Sequence, residues 1–282
     1  MINARLLVSG AEFFSLEAPI NPYYDTKVVQ RARALEDHRQ IRAGFDAAGI
    51  EVVTVPAPAG AQDGVYTANW ALVRDGRALL SRLPNARQIE EAHAERVLTD
   101  LGITVSHIPE DWHFSGQGDA LAAGRYLLAG QGYRSDRRAQ RFAAEFFDLE
   151  LVQLQALPER DAAGQPVINT ASGWPDSFFY DIDLAIAVLR PDLIAYCPTA
   201  LDEASCRRLA DLDLELIEVS EAEATNGLAC NLVSTGDTVV MSANAPDLAA
   251  ELRARDFRVI TPRVEELTRG GGFIRCVSLT LD

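Results

Sequence analysis

Asp119-Ala120-Leu121-Ala122-Ala123, then Gly124-Arg125, then Tyr126-Leu127-Leu128-Ala129 is an apolar run, a turn and a second apolar run. Short apolar runs bounded by Gly, Asp or Pro are the signal of a strand-turn-strand hairpin. Downstream of it, residues 135–147 read as a helix and Leu149-Glu150-Leu151-Val152-Gln153-Leu154 as another strand. The same order recurs along the chain. Hairpins are predicted at residues 69–80, turning at Arg74-Asp75-Gly76, at 184–196, turning at Arg190-Pro191-Asp192, and at 230–241, turning at Ser234-Thr235-Gly236-Asp237. Helical stretches follow at 85–100, 202–210 and 246–255, and strands at 104–109, 214–219 and 258–262. A fifth hairpin is half present, from Cys276 to Leu281. Its missing arm is supplied by Arg5-Leu6-Leu7-Val8-Ser9, which is followed by a helix over 26–48 and a strand over 51–56.

Five copies of one unit, with the first strand of the chain completing the last copy, predict a closed ring. Radial repetition protects sheet edges. The expected fold is therefore α/β: a five-bladed α/β propeller of pseudo-fivefold hairpin-helix-strand repeats around a central channel. It forms a single domain over residues 1–282, with a site where equivalent loops converge.

Composition excludes several classes. The chain has 282 residues, 48% hydrophobic and 24% charged, with a net charge of −15. That length can bury a full core. Nucleic acid is not expected as a partner, because phosphate binding needs a basic face. An acidic protein steers cations, so a small cationic substrate suits it. No apolar run has the ~18 residues of a membrane span, and the N-terminus does not read as a signal peptide, so a cytoplasmic protein with no membrane partner is expected. The four cysteines, Cys197, Cys206, Cys230 and Cys276, form no CxxC pair, and the four histidines form no HExxH pattern. No metal, cofactor or disulfide framework is therefore expected. Homo-oligomerisation is left open.

The Gly270-Gly271-Gly272-Phe273-Ile274-Arg275-Cys276 segment has its own chemistry. A thiolate is the nucleophilic form of cysteine, and a neighbouring cation favours it. Glycine allows close backbone approach or positive φ. Cys276 is therefore a candidate nucleophile, although a small buried side chain beside a tight turn gives the same pattern.

With these motifs in place, the chain resembles the guanidino-group-modifying superfamily, the penteins. Its members include arginine deiminases, dimethylargininases, amidinotransferases and cyanobacterial-type arginine dihydrolases. Ile20-Asn21-Pro22, Val65-Tyr66-Thr67-Ala68-Asn69, Leu80-Ser81-Arg82, Phe114-Ser115-Gly116-Gln117-Gly118-Asp119-Ala120-Leu121, Ala129-Gly130-Gln131-Gly132-Tyr133-Arg134-Ser135, Phe179-Tyr180-Asp181-Ile182-Asp183 and Ala229-Cys230-Asn231 resemble motifs of the dimethylargininase and arginine dihydrolase-like branch, in family order. The resemblance implies a cysteine-dependent hydrolase acting on the guanidino or ureido carbon of arginine or a modified arginine. An amidinotransferase or lyase on the same scaffold, or a non-catalytic binder of a cationic amino acid, is the alternative.

Carried over residue by residue, the resemblance makes Cys276 the nucleophile and Asp183 a guanidinium anchor. Asn69 stands where deiminases have an aspartate anchor. Arg82 would receive a substrate carboxylate and Asn21 would hold the amino-acid end. Asp119, Gly132 and Arg134 join the substrate contacts. Two positions depart from the pattern. Asp181 stands where the family has its histidine, and Ser115 where it has a glutamate. Asp181 is then either an acid/base group with a raised pKa or a second anchor beside Asp183. His113, two residues before Ser115 and on the same face if extended, is the candidate replacement imidazole.

Overall fold

The computed structural model describes residues 1–17, 28–83, 85–109, 111–169 and 175–282. In chain order the elements are β1 (Arg5–Ser9), α1 (Arg31–Ala47), β2 (Glu51–Val55), β3 (Ala71–Arg74), β4 (Arg77–Leu80), α2 (Glu91–Asp100), β5 (Thr104–His107), α3 (Gly116–Asp119), β6 (Ala120–Ala123), β7 (Tyr126–Gln131), α4 (Arg137–Phe146) and β8 (Glu150–Gln155). They continue with β9 (Ile186–Arg190), β10 (Leu193–Tyr196), α5 (Glu203–Ala210), β11 (Glu215–Glu218), α6 (Glu221–Asn226), β12 (Val233–Ser234), β13 (Thr238–Val240), α7 (Pro246–Ala254), β14 (Arg258–Ile260) and β15 (Leu279–Thr280).

The strands form five three-stranded sheets: β3-β4-β5, β6-β7-β8, β9-β10-β11, β12-β13-β14 and β15-β1-β2. In each, the first strand runs antiparallel to the middle one and the third runs parallel to it. A tight turn is enough for the antiparallel pair, whereas the parallel pair needs a crossover. A helix supplies that crossover each time. The turn between β3 and β4 shows the local chemistry: Asp75 and Gly76 have φ of 52° and 69°. Two consecutive left-handed residues match the twist of a two-residue hairpin, and Asp-Gly is a preferred pair for them.

The fifth sheet is completed as expected. Leu6 faces Thr280 and Leu7 faces Leu279 across an antiparallel pair. Its first strand is shorter than expected, because Cys276 and Val277 lie in a turn. Val277 N–H donates to Phe273 O at 3.1 Å and Ser278 N–H to Arg275 O at 3.0 Å. Backbone committed to those bonds cannot join the ladder.

The middle strands carry the core: Leu6, Leu7, Leu79, Leu127, Leu128, Ile194 and Val239 are fully buried. The third strands are partly exposed. Helices pack on them, α1 on β2, α2 on β5, α4 and α5 on β8, and α7 on β14. On the other side the first strands converge. Leu72, Leu121, Ile186, Leu232 and Thr280, from or immediately beside the first strand of each sheet, line one cavity. Among the described residues no helix is long and apolar enough to cross a membrane.

Candidate active site

The glycine loop determines where Cys276 sits. Gly271 has φ of +83°, the left-handed region that L side chains avoid. A Cβ on Gly272 would lie 2.8 Å from Cys276 Cβ and 2.9 Å from a ring carbon of Tyr66. The loop can therefore pass between the Tyr66 ring and the cysteine only without side chains. Tyr66 and Tyr180 fix it from below, donating to Leu267 O and Gly271 O at 2.6 Å each.

Asn231 then orients the cysteine. Its Oδ1 accepts from the backbone N–H groups of Phe273, Arg275 and Cys276 at 3.0, 3.1 and 3.1 Å. Its Nδ2 donates to Cys276 Sγ at 3.1 Å. The thiol in turn donates to Asp183 Oδ2 at 3.3 Å. Asp183 occupies the short turn Ile182–Leu184 that leads into β9. Cys276 is 4% exposed. Burial pushes its pKa well above the ordinary value, and the neighbouring charges of Asp183 and Asp181 push it further. Burial, with Asp181 second, pushes Asp183 up to about 8; the bond from Cys276 and the charge of Arg275 oppose this. At rest the nucleophile is a neutral thiol bonded to an anchor that also tends to keep its proton.

Beside this pair runs a polar chain. Arg87 Nη1 donates to Asn69 Oδ1 at 2.7 Å, and Asn69 Nδ2 donates to Asp181 Oδ2 at 2.9 Å and to Ser115 Oγ at 2.9 Å. Arg134 Nη1 lies 3.3 Å from the same Asp181 oxygen, its guanidinium 4.1 Å above the Tyr180 ring. Arg87 is itself held by the buried Glu90, with Nε 2.8 Å from Oε1. Asn69, Arg87, Arg134, Tyr180, Asp181 and Asp63 line a narrow pocket of about 240 Å³ of non-atom space, its solvent mouth included, with Cys276 in its wall. Asp119 lies alongside, its Oδ1 accepting from Ile182 N–H at 3.2 Å, and burial followed by the charge of Asp181 pushes its carboxyl well up. Among the described residues, Asp119 Oδ2, Asp181 Oδ1 and Asp183 Oδ1 are buried with no donor. Buried acceptors without donors are costly, and carboxylates grip the fork of a guanidinium well. The cluster is chemically suited to a cation rich in N–H groups.

No protein-family model matches the chain. It is 32% identical over 288 residues to N(G),N(G)-dimethylarginine dimethylaminohydrolase of Mycobacterium tuberculosis (strain ATCC 25618 / H37Rv), an alignment covering 98% of this chain and 85% of that protein. The chain belongs to the dimethylarginine dimethylaminohydrolase family. A second relative of this dimethylargininase-family chain is the bifunctional arginine dihydrolase/ornithine cyclodeaminase ArgZ of Synechocystis sp. (strain ATCC 27184 / PCC 6803 / Kazusa), 29% identical over 283 residues. That alignment covers 98% of this chain and 37% of ArgZ, so the chain spans little more than a third of this relative's length. The solved N-terminal domain of ArgZ, bound to its product, superposes with a TM-score of 0.87 at 28% identity, covering 99% of this chain and 97% of that domain. Mixed α/β architecture with five small sheets is thus the pentein architecture.

In this dimethylargininase-family chain the fold brings Cys276, Asp181, Asp183, Asn69 and Arg134 to one place, with Asp119 beside them. Gly132 has φ of +98°, where its Cα faces the Gln155 amide, and does not line the pocket. Arg82 and His113 are also elsewhere. Arg82 pairs with Glu91 at 3.2 Å, and its backbone bridges Phe114. The His113 side chain is 47% exposed and faces Asp136 at 3.8 Å. Together with Trp112 they line a separate outer pocket. Asn21 and Trp174 lie outside the described residues.

Arg275 was expected either to activate its neighbour directly or to face solvent. It does not face solvent: its side chain is buried and donates to Gln117 Oε1 at 2.7 Å and Thr280 Oγ1 at 2.8 Å. Glu223 is buried and accepts from Asp247 and Leu248 N–H at the start of α7. Arg87, Asp63, Tyr66 and Asn231 were not singled out by sequence reasoning as site residues. Tyr66 and Asn231 lie in motifs that carry the resemblance and were visible there. Arg87 and Asp63 have no local signal. Among the described residues no group of three or more His, Cys, Asp and Glu side chains is arranged to hold a metal ion.

Proposed function

We propose that this chain is a cysteine-dependent hydrolase of the guanidino carbon of arginine or a modified arginine, working through a covalent Cys276 intermediate. The observation that carries this reading is the Cys276 thiol, in the wall of a pocket, bonded to Asp183 at 3.3 Å, where the neighbouring carboxyls each keep one buried oxygen without a donor. We also read the five sheets as blades of one closed ring in a single domain, residues 1–282. The convergence of their first strands on one cavity supports this.

In this reading the substrate guanidinium places its N–H groups against Asp181 and Asp183. Its positive charge offsets the burial and crowding that keep Asp183 protonated, so Asp183 releases its resting proton to solvent and the thiol proton then passes to the Asp183 carboxylate along the existing bond. The thiolate forms an S–C bond to the guanidinium carbon. The C–N bond to the leaving amine breaks as that nitrogen takes the proton from Asp183. This leaves a cationic thiouronium on Cys276. Water then adds to its carbon, giving one proton to Asp183. The C–S bond breaks, and the sulfur recovers a proton from the adding hydroxyl as the ureido carbonyl forms. The Asp183 proton leaves with the released amine. Asp183 carries the protons here because Asp181 is engaged by Asn69 and Arg134, and His113 faces Asp136. Arg134 and Arg87 line the pocket and are the cations offered to a substrate carboxylate. Asn21 keeps the amino-acid end by resemblance.

The test is intact-mass spectrometry of the protein mixed with arginine, methylated and hydroxylated arginines, citrulline and agmatine, with amine and amino-acid products read in parallel. A product or adduct that disappears in Cys276→Ala supports the hydrolase. Thermal stabilisation by one ligand, without adduct or product, marks a binder and overturns it.

A further inference from the structure

A second cavity is separate from the one that holds Cys276. It lies among the first strands of the five sheets, on the side of the hairpin turns, and encloses about 1210 Å³ of non-atom space, its solvent mouth included. Leu72, Leu121, Ile186, Val188 and Leu232 form apolar walls. Its polar end is built from Arg275, Gln117, Thr280 and Asn3.

Arg275 is the unusual group there. It is 8% exposed, and its side chain donates only to the neutral oxygens Gln117 Oε1 and Thr280 Oγ1. Among the described residues no carboxylate lies within ion-pair distance of it. Compare Arg87, equally buried but held by Glu90. A buried charge is normally paired, since an uncompensated one is costly. Burial weakens the hold of Arg275 on its proton, and its neighbouring negative charges, Asp183 first, oppose that. Arg74 and Asp282, two other charged side chains at the cavity, are already engaged. Arg74 Nε lies 3.4 Å from Asp75, and the Asp282 side chain accepts from Ala4 and Arg5 N–H.

We infer that this cavity is a second binding site, taking a small monocarboxylate with an uncharged apolar body: the carboxylate meets the Arg275 guanidinium and the body lies on the leucine, isoleucine and valine walls. A guanidinium and a carboxylate match in bidentate geometry. A mostly apolar concave wall with a few convergent polar groups is how small-molecule sites are built. The site is wired to the catalytic one. Arg275 precedes Cys276 in sequence, and both backbone N–H groups end on the same Asn231 Oδ1. The charge of Arg275 and a thiolate at Cys276 also attract each other directly. An anion seated on Arg275 neutralises that charge, so it disfavours the thiolate and acts as an inhibitor. By linkage, a thiolate at Cys276 weakens the anion's binding by the same factor.

Hexanoate is the probe, with hexylamine and acetate as controls for charge and apolar body. Calorimetric titration measures binding, and iodoacetamide labelling at a fixed alkaline pH measures Cys276 reactivity. Neither readout depends on hydrolase activity, so this proposal and the hydrolase reading fail independently. Saturable hexanoate binding that slows labelling about five-fold, within the usual range of such couplings, and is lost in Ala122→Trp and Val188→Trp, supports the site. Both substitutions fill the cavity from half-buried wall positions away from Cys276, and circular dichroism checks their folding. No saturable binding, binding indifferent to both substitutions, or equal binding of hexylamine overturns it. Binding that leaves labelling unchanged overturns the coupling.

Discussion

Cys276 Sγ and Asp183 Oδ2 are joined by a 3.3 Å hydrogen bond in which the thiol is the donor. The direction of that bond matters, because it makes Asp183 a brake on the resting nucleophile as well as an anchor. Where Asp183 is ionised, Asp183→Asn removes a negative neighbour that holds the thiol pKa up, so iodoacetamide should label Cys276 faster in the variant above about pH 8. Turnover should fall about 100-fold or more, as it does when a positioned acid/base group is lost. Labelling and steady-state rates measured on the same preparations check this. If both fall together, the braking role is wrong.

Cys276→Ala should abolish turnover and covalent labelling while leaving the fold intact. The substitution removes one sulfur from a buried site and leaves the Asn231 bonds to Phe273 and Arg275 in place. Product formation above the buffer rate by Cys276→Ala would refute covalent catalysis.

Stability should depend on pH through Asp183. Its carboxyl is raised from 3.8 to about 8 in the folded chain. Between those values the folded state holds a proton that the unfolded state has released, so stability falls as pH rises through the window. Asp183→Asn cannot titrate. Its melting temperature relative to the parent should therefore climb from pH 5 to pH 8, and thermal melts across that range read it directly. A constant difference argues against a shifted Asp183.

Asn69 ties Arg87, Asp181 and Ser115 together. Asn69→Ala leaves a buried guanidinium donor and a buried carboxylate oxygen each short of a partner. The expected cost is about 1–3 kcal/mol of stability for the orphaned groups. Chemical denaturation measures that cost, and kcat/KM should fall with it. Arg82→Ala and His113→Ala, by contrast, should leave kcat/KM within about two-fold, the behaviour of surface positions away from the chemistry.

Gly272→Ala places a methyl 2.8 Å from Cys276 Cβ and 2.9 Å from the Tyr66 ring. One neighbour must move, and misplacing a reacting atom by a fraction of an ångström is costly. The prediction is a loss of kcat of about 10-fold or more with KM changed far less. An unchanged kcat would show that the loop tolerates a side chain.

The repeat was legible because hairpin, helix and strand are local patterns. Each depends on residues a few positions apart, as at Asp75-Gly76 or in the alternation of apolar runs and turns. The pairing of residues 5–9 with the C-terminal strand was also legible, since one arm of a hairpin was missing. Cys276 and Asp183 could be marked because both sit in motifs that carry a family resemblance.

The chain alone determined the five units and marked Cys276 as the candidate nucleophile. Only the tertiary structure decided which way the side chains point. Arg82 and His113 stand in or beside quoted motifs, yet they line a different pocket from the one that holds Cys276. Arg87 lies in an unremarkable turn, yet it reaches Asn69 across 18 residues. Arg275 adjoins the nucleophile but serves a different cavity. Side-chain direction depends on bonds between residues far apart in sequence, such as Asn231 to Cys276 and Asn69 to Asp181, and no local pattern encodes those.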